Sequence, residues 1–247
     1  MGPNPAPTRM ALTVVENRTG CVVCDAAIVY LAVAERLACA LCGEEHHTET
    51  RCAAGHYVCD RCHSGSANDL VERACVATSL TDPLQIARSI MQLPAVKMHG
   101  PEHHFLVPAA LLAAWCNARG EPERKPALVA EARRRSAPVL GGFCGLQGAC
   151  GAAIGTGTFV ALAIGSTPLK GKERSLANRM TAKALEAISR TEGARCCKRD
   201  CFLAILAAAR FAKEHLHVAL PARGAPCTFA EMNTECQRNG CPFYRAA

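Results

Sequence analysis

The feature that most constrains this chain is its cysteine content: 17 in 247 residues, an odd number. A disulfide scaffold pairs its cysteines evenly and belongs to secreted chains. The opening stretch, MGPNPAPTRMALTVVENRTG, has neither the basic start nor the apolar run of a signal peptide. The expectation is a reducing, cytoplasmic setting in which the thiols hold metal or do chemistry. Their distribution is uneven. Seven lie between Cys21 and Cys62, eight between Cys144 and Cys241, and Cys75 and Cys116 stand between the groups. Two separate sites are expected, one toward each end.

The first group is made of ligand pairs: Cys21-x2-Cys24, Cys39-x2-Cys42, Cys52-x3-His56 and Cys59-x2-Cys62. Cys-x2-Cys is the short turn that aims two sulfurs at one ion, and eight ligands suffice for two closed tetrahedral zinc sites. So small a segment has little core, so metal binding would supply its folding free energy. Alternating pairs give Cys21, Cys24, Cys52 and His56 one ion, and Cys39, Cys42, Cys59 and Cys62 the other. Sequential pairing is the rival, His63 can replace a neighbour, and rubredoxin-like iron suits the same ligands. His46 and His47 read as solvated loop residues.

Half the residues are hydrophobic and only 4% aromatic; Ala, Leu, Ile and Val dominate, which favours helix over sheet. The fold expected is mainly α: a small zinc-binding module of treble-clef or ribbon type, followed by an all-helical domain. The divisions are a disordered tail over 1–18, with Pro3, Pro5 and Pro7 alternating, a zinc module over 19–66 and a cysteine-rich helical domain over 67–247. Helices are predicted from Asn68 to Ala77, from an Asp82 cap and Pro83, and from Pro108 to a stop at Gly120. Two more are predicted over Ser175–Arg190 and Cys201–Leu216. Gly120–Pro138 reads as a polar surface connection. Its Arg133–Arg135 run has no stacking aromatics, and with a mild net charge of +7, nucleic acid is not an expected partner. Gly148–Leu169 carries no charge and is about long enough to span a bilayer. Its glycines and lack of an aromatic belt instead predict a buried central helix, with no membrane partner.

The second cysteine group lacks zinc spacing. Cys144 and Cys150 flank GLQGA, Cys196 and Cys197 precede Lys198, Arg199, Asp200 and Cys201, and Cys227, Cys236 and Cys241 close the chain. Two readings stand. Cys144, Cys150 and two of Cys196, Cys197 and Cys201 bind an iron–sulfur cluster of the 4Fe–4S kind, with a coordination position open to substrate. Alternatively they are reactive thiols, Cys197 foremost, whose pKa is lowered by Arg195, Lys198 and Arg199 and a nearby helix start. The same three cations would hold an anionic group of a small-molecule substrate. His99, Glu102, His103 and His104, packed just before a helix, would transfer protons or add a ligand.

Several phrases taken together carry a resemblance: GHYVCDRCHSG (55–65), MHGPEHHFLVPAALL (98–112), GGFCGLQGACGAAIGTGTFVAL (141–162), TAKALEAI (181–188), ARCCKRDCFLAIL (194–206) and the terminal CPF (241–243). The chain resembles members of the family called domain of unknown function 5714, from about Cys21 to Phe243. That resemblance implies architecture more than activity. Relatives are often labelled methyltransferases because some carry a separate S-adenosylmethionine-binding domain. This sequence has no acidic-Gly-x-Gly-x-Gly loop after a strand, so methyl transfer is not carried over. The expected function is a metal- or thiol-dependent enzyme of sulfur transfer or redox chemistry. The alternatives are a non-enzymatic zinc adaptor or regulator, and an accessory delivering metal or sulfur to a partner enzyme.

Overall fold

The computed structural model describes residues 21–24, 26–59, 62, 66–224 and 226–245. The expected tail over 1–18 and the alternative ligand His63 lie outside the described residues.

The N-terminal part is built on one antiparallel hairpin, β1 (Ile28–Ala38) and β2 (Glu45–Cys52). The register runs from Ile28 opposite Cys52 to Ala38 opposite Glu45. Between Tyr30–Thr50 and Glu35–Thr48, the four residues Leu31 to Ala34 face the single residue Glu49, which bulges β1 outward. Both expected loop histidines, His46 and His47, instead lie on β2, paired with Leu37 and Arg36. Cys39-Ala-Leu-Cys42 makes the turn at the hairpin tip, where Gly43 adopts φ +75° and donates its N–H to the Cys39 carbonyl. Cys21, Cys24, Cys52 and His56 flank the opposite end.

Helices follow: α1 (Ala67–Ala77), α2 (Pro83–Met91), α3 (Glu102–Arg119), α4 (Lys125–Ser136), α5 (Phe143–Leu146), α6 (Gly151–Ala163), α7 (Gly171–Ser189) and α8 (Cys197–His215). Ser66 and Asp69 cap α1 reciprocally, and Asp82 accepts the Leu84 and Gln85 amides ahead of Pro83. Gly120, left-handed at φ +70°, ends α3 as expected.

Helix α3 is the axis. It is buried on every side from Phe105 to Cys116, and α1, α2, α4, α6 and α8 pack around it. It begins six residues earlier than predicted, because Pro108 sits inside the helix rather than at its start. A proline there cannot donate to the His104 carbonyl. The Ser136 hydroxyl on α4 donates to that carbonyl instead, at 3.4 Å. Gly155 on α6 lies against the same spot: a Cβ on it would come within 2.7 Å of Pro108 Cδ and 3.0 Å of His104 O.

The stretch predicted as a surface connection is a correction. It folds as α4, because Val129 and Ala132 bury against the core and Arg133 bridges to Asp69 and Glu72 on α1, at 2.7 Å each. Arg134 and Arg135 bind Glu131 on their own helix. The uncharged run forms a buried helix, α6, among the others. No described helix is long and apolar enough to cross a membrane.

Candidate metal centres and thiol site

The N-terminal ligands gather in the alternating arrangement. Cys21, Cys24, Cys52 and His56 form one set and Cys39, Cys42, Cys59 and Cys62 the other, with the donor atoms of each set within 4.8 Å of one another. The hairpin dictates this partition. Strands rise about 3.3 Å per residue, so the eight residues of β2 hold the Cys52 end roughly 26 Å from the tip, beyond the reach of one ion. In the first set His56 Nδ1 lies 3.3 Å from Cys24 Sγ and 3.6 Å from Cys52 Sγ, and those two sulfurs are 3.8 Å apart. In the second, Cys42 and Cys59 sulfurs are 3.9 Å apart.

Backbone amides point at these sulfurs. Val23 N donates to Cys21 at 3.4 Å, His56 N to Cys52 at 3.2 Å and Cys59 N to Cys39 at 3.4 Å. Burial raises the Cys39 pKa, but the Cys59, Cys42 and Leu41 amides more than offset it and bring the thiol to about 7. Cys52 also stands at about 7, because the His56 and Ala54 amides outweigh burial. Both sets can hold a metal ion, and a metal requires the thiolate form these amides favour.

The C-terminal thiols divide between two places. Cys150 caps the start of α6, Cys197 is the first residue of α8, and Cys201 lies one turn further along α8, fully buried. Cys197 and Cys150 both act electrostatically on Cys201, and Cys144, exposed on α5, acts on Cys150 and Cys197. Cys196 does not join them. It turns to a cavity shared with Cys227, Cys236 and Cys241. Of the site expected from Cys144, Cys150 and two of Cys196, Cys197 and Cys201, it is Cys197 and Cys201 that interact with Cys150 and Cys144, and Cys196 that faces away, because adjacent residues at a helix start diverge. Cys75 and Cys116 are core residues.

Expected roles for the charged neighbours are also corrected. Burial raises Cys150 and Cys196 to about 11, and also raises Cys197 and Cys201, so the predicted depression of the thiol pKa values is absent. The nearby cations are engaged elsewhere. Lys198 Nζ is buried and donates to the Lys97 carbonyl at 2.9 Å, with Met91 and Val96 carbonyls at 3.4 and 3.5 Å. Arg199 donates to Asp200 Oδ1 at 3.0 Å, Gln237 Oε1 at 2.8 Å and Ala194 O at 3.3 Å. Only Arg195 among the three is exposed.

The histidine group does not converge on one point. His99 Nε2 contacts Asn233 Oδ1 at 3.1 Å and Glu235 Oε2 at 3.0 Å. His103 Nδ1 bonds the Gly100 carbonyl at 3.1 Å and leaves Nε2 buried without a partner. Burial, then the Lys198 charge, lower its pKa to about 3, so it is neutral at ordinary pH. His104 Nδ1 donates to Val139 O at 2.8 Å. Glu102 accepts the Lys97 amide at 3.0 Å. The residues that the sequence reading left without a role are Cys227, Cys236 and Cys241; their Cys-x8-Cys-x4-Cys spacing was the available signal.

No curated protein and no solved structure matches the chain. Residues 71–244, from within α1 to the segment beyond Cys241, match the family described as "Family of unknown function (DUF5714)", and this chain belongs to that family.

Proposed function

We propose that this chain is a metal- and thiol-dependent enzyme. Two zinc ions fold its N-terminal module, and its helical domain acts on a small molecule in sulfur transfer or redox chemistry. The observation that carries this reading is the grouping of Cys150, Cys197 and Cys201 where α6 and α8 begin. The Ala152 and Ala153 amides at Cys150 and the Gly100 amide at Cys197 oppose, without cancelling, the burial that holds these thiols protonated, so the sulfurs sit shielded from bulk water and ionise only with a proton acceptor. Zinc suits the N-terminal sets because each offers four sulfur or imidazole donors and no open position.

The test uses thiosulfate as a sulfane-sulfur donor and hydrogen peroxide as an oxidant, on anaerobically isolated protein, with products mapped by mass spectrometry. With thiosulfate, a thiolate attacks the outer sulfur, the S–S bond breaks, and sulfite leaves with the electron pair, so the protein retains a persulfide. With peroxide, the thiolate attacks one oxygen, the O–O bond breaks, the other oxygen leaves as water after taking the remaining proton, and the protein retains a sulfenate. Either product confined to Cys150 or Cys197, and abolished by replacing that residue with serine, supports the reading. Absence of both products, or modification equal to that of exposed Cys24 and Cys144, contradicts it.

A second reading, an adaptor that binds another protein, draws on Tyr30, beside the bulge of β1, and Val33, within it, which are 83% and 75% exposed. It expects thiol reactivity to be absent and the bulge to bind.

A further inference from the structure

Beyond α8 the chain runs to Tyr244 with two single-turn 3-10 segments, Ala230–Met232 and Arg238–Gly240, as its only described helical structure. It is nevertheless folded back onto the core. Cys227 N donates to Phe243 O at 2.7 Å, Phe243 meets the Phe202 ring edge-on at 5.3 Å, and Phe229 is buried beneath the Lys198 ammonium at 5.0 Å. Four cysteines face the space this fold encloses: Cys196 from the end of the α8 cap, and Cys227, Cys236 and Cys241 from the irregular segment. The pocket is narrow and partly open to solvent, and its other walls include Met98, Phe202, Phe229 and Phe243.

We propose that Cys196, Cys227, Cys236 and Cys241 bind a [4Fe–4S] cluster in this cavity. The proposal deepens the metal-and-thiol reading and rests on it only for the purpose the cluster would serve.

Three observations carry it. First, the four residues are all thiols, and the cavity is lined by no carboxylate or imidazole, the donor set of a cubane cluster. Second, the sulfurs are spread more widely than at a single-ion site. Among the described residues, the sets with donor atoms within 4.8 Å of one another are the two N-terminal ones. The C-terminal four fall outside that limit, yet Cys227 interacts with Cys241, Cys236 and Cys196 through their charges. A cluster interposes its own iron and sulfide between the thiolates and needs both that spread and a cavity, whereas one zinc ion needs neither.

Third, these sulfurs receive the amide hydrogen bonds that stabilise cluster thiolates. Phe229 N donates to Cys227 at 3.3 Å, Arg238 N to Cys236 at 3.4 Å, and Asn233 Nδ2 to Cys196 at 3.7 Å. The first two repeat the local geometry of Val23 N on Cys21, at 3.4 Å, in the N-terminal metal set. In each case the amide two residues on turns back to the sulfur. Arg238 adopts φ +47° between Cys236 and Cys241, a left-handed turn that a non-glycine residue seldom takes without a compensating gain.

The test is iron and acid-labile sulfide analysis of full-length protein, reconstituted anaerobically with ferrous iron and sulfide. It is paired with electron paramagnetic resonance after dithionite reduction. The expected result is about four iron and four sulfide per chain in the wild type and in Cys144→Ser. Both contents should fall at least five-fold in Cys236→Ser and in Cys241→Ser, with helical circular dichroism and N-terminal zinc retained. Wild-type protein lacking iron and sulfide after reconstitution, zinc at these four residues, or iron unaffected by both variants would overturn it. If the variants do not fold, the wild-type stoichiometry still decides. The thiosulfate and peroxide products at Cys150 and Cys197 are read separately. Cluster without those products sinks the enzyme reading alone, and products without cluster sink this proposal alone.

Discussion

His103 and His104 are neighbours in sequence, but α3 begins at Glu102, so their side chains leave the helix about 100° apart. One is sealed against Gly100 and the other ties α3 to Val139. His103 has a consequence for acid stability. Its pKa is about 3 in the folded protein against an ordinary 6.5. Above pH 6.5 neither state is protonated and the residue adds no pH dependence. Between 6.5 and 3 the unfolded chain binds a proton that the folded chain does not, so stability falls as pH falls through that window. Chemical denaturation at pH 7.5 and pH 5 should show the wild type losing about 2 kcal/mol more than His103→Gln. Equal losses would contradict a buried neutral imidazole. The imidazole, the carboxylate and the cations of this region were visible in the sequence as reactive types. That Lys198 and Arg199 would face backbone carbonyls and Asp200 rather than a ligand was not, because burial depends on which helices pack around α8.

Among the elements, α6 depends on its glycines for approach rather than for flexibility. Gly155 admits Pro108 and the His104 carbonyl, and Gly157 admits Thr181 and the Ala177 carbonyl of α7. Gly155→Ala gains roughly 1 kcal/mol of helix propensity, but its methyl meets a proline ring and a backbone oxygen that cannot easily yield. The net effect should be a loss of about 1–3 kcal/mol, read as a lower thermal midpoint. Gly171→Ala at the start of α7, where a Cβ meets nothing within 4 Å, should be neutral or slightly stabilising. Elements with local signals were legible: Asp82-Pro83 and Gly120 mark real boundaries, and the uncharged run is a buried helix. The start of α3 was not, because Pro108 is tolerated only through Ser136 and Gly155, far away in sequence. For the same reason α4 read as a connection: Arg133 finds its carboxylates on α1.

For the whole molecule, cysteines organise both ends of the chain, with an apolar helical core around α3 between them. The N-terminal ligands were readable because Cys-x2-Cys is a local turn, and a hairpin long enough to separate its two ends resolves their pairing. The grouping of Cys196 with Cys227, Cys236 and Cys241 was not legible, for the opposite reason. Cys196 meets Cys227, Cys236 and Cys241 only after the last segment folds across α8, so no short spacing announces the set. The central claim is that the thiols are metal ligands partitioned by the fold, and zinc content per chain tests it most directly in a Cys24→Ser/Cys52→Ser double variant. Both residues belong to one set, so the wild type should hold two zinc ions and the double variant one. Loss of both ions from the variant, or a wild type without metal, would contradict the account.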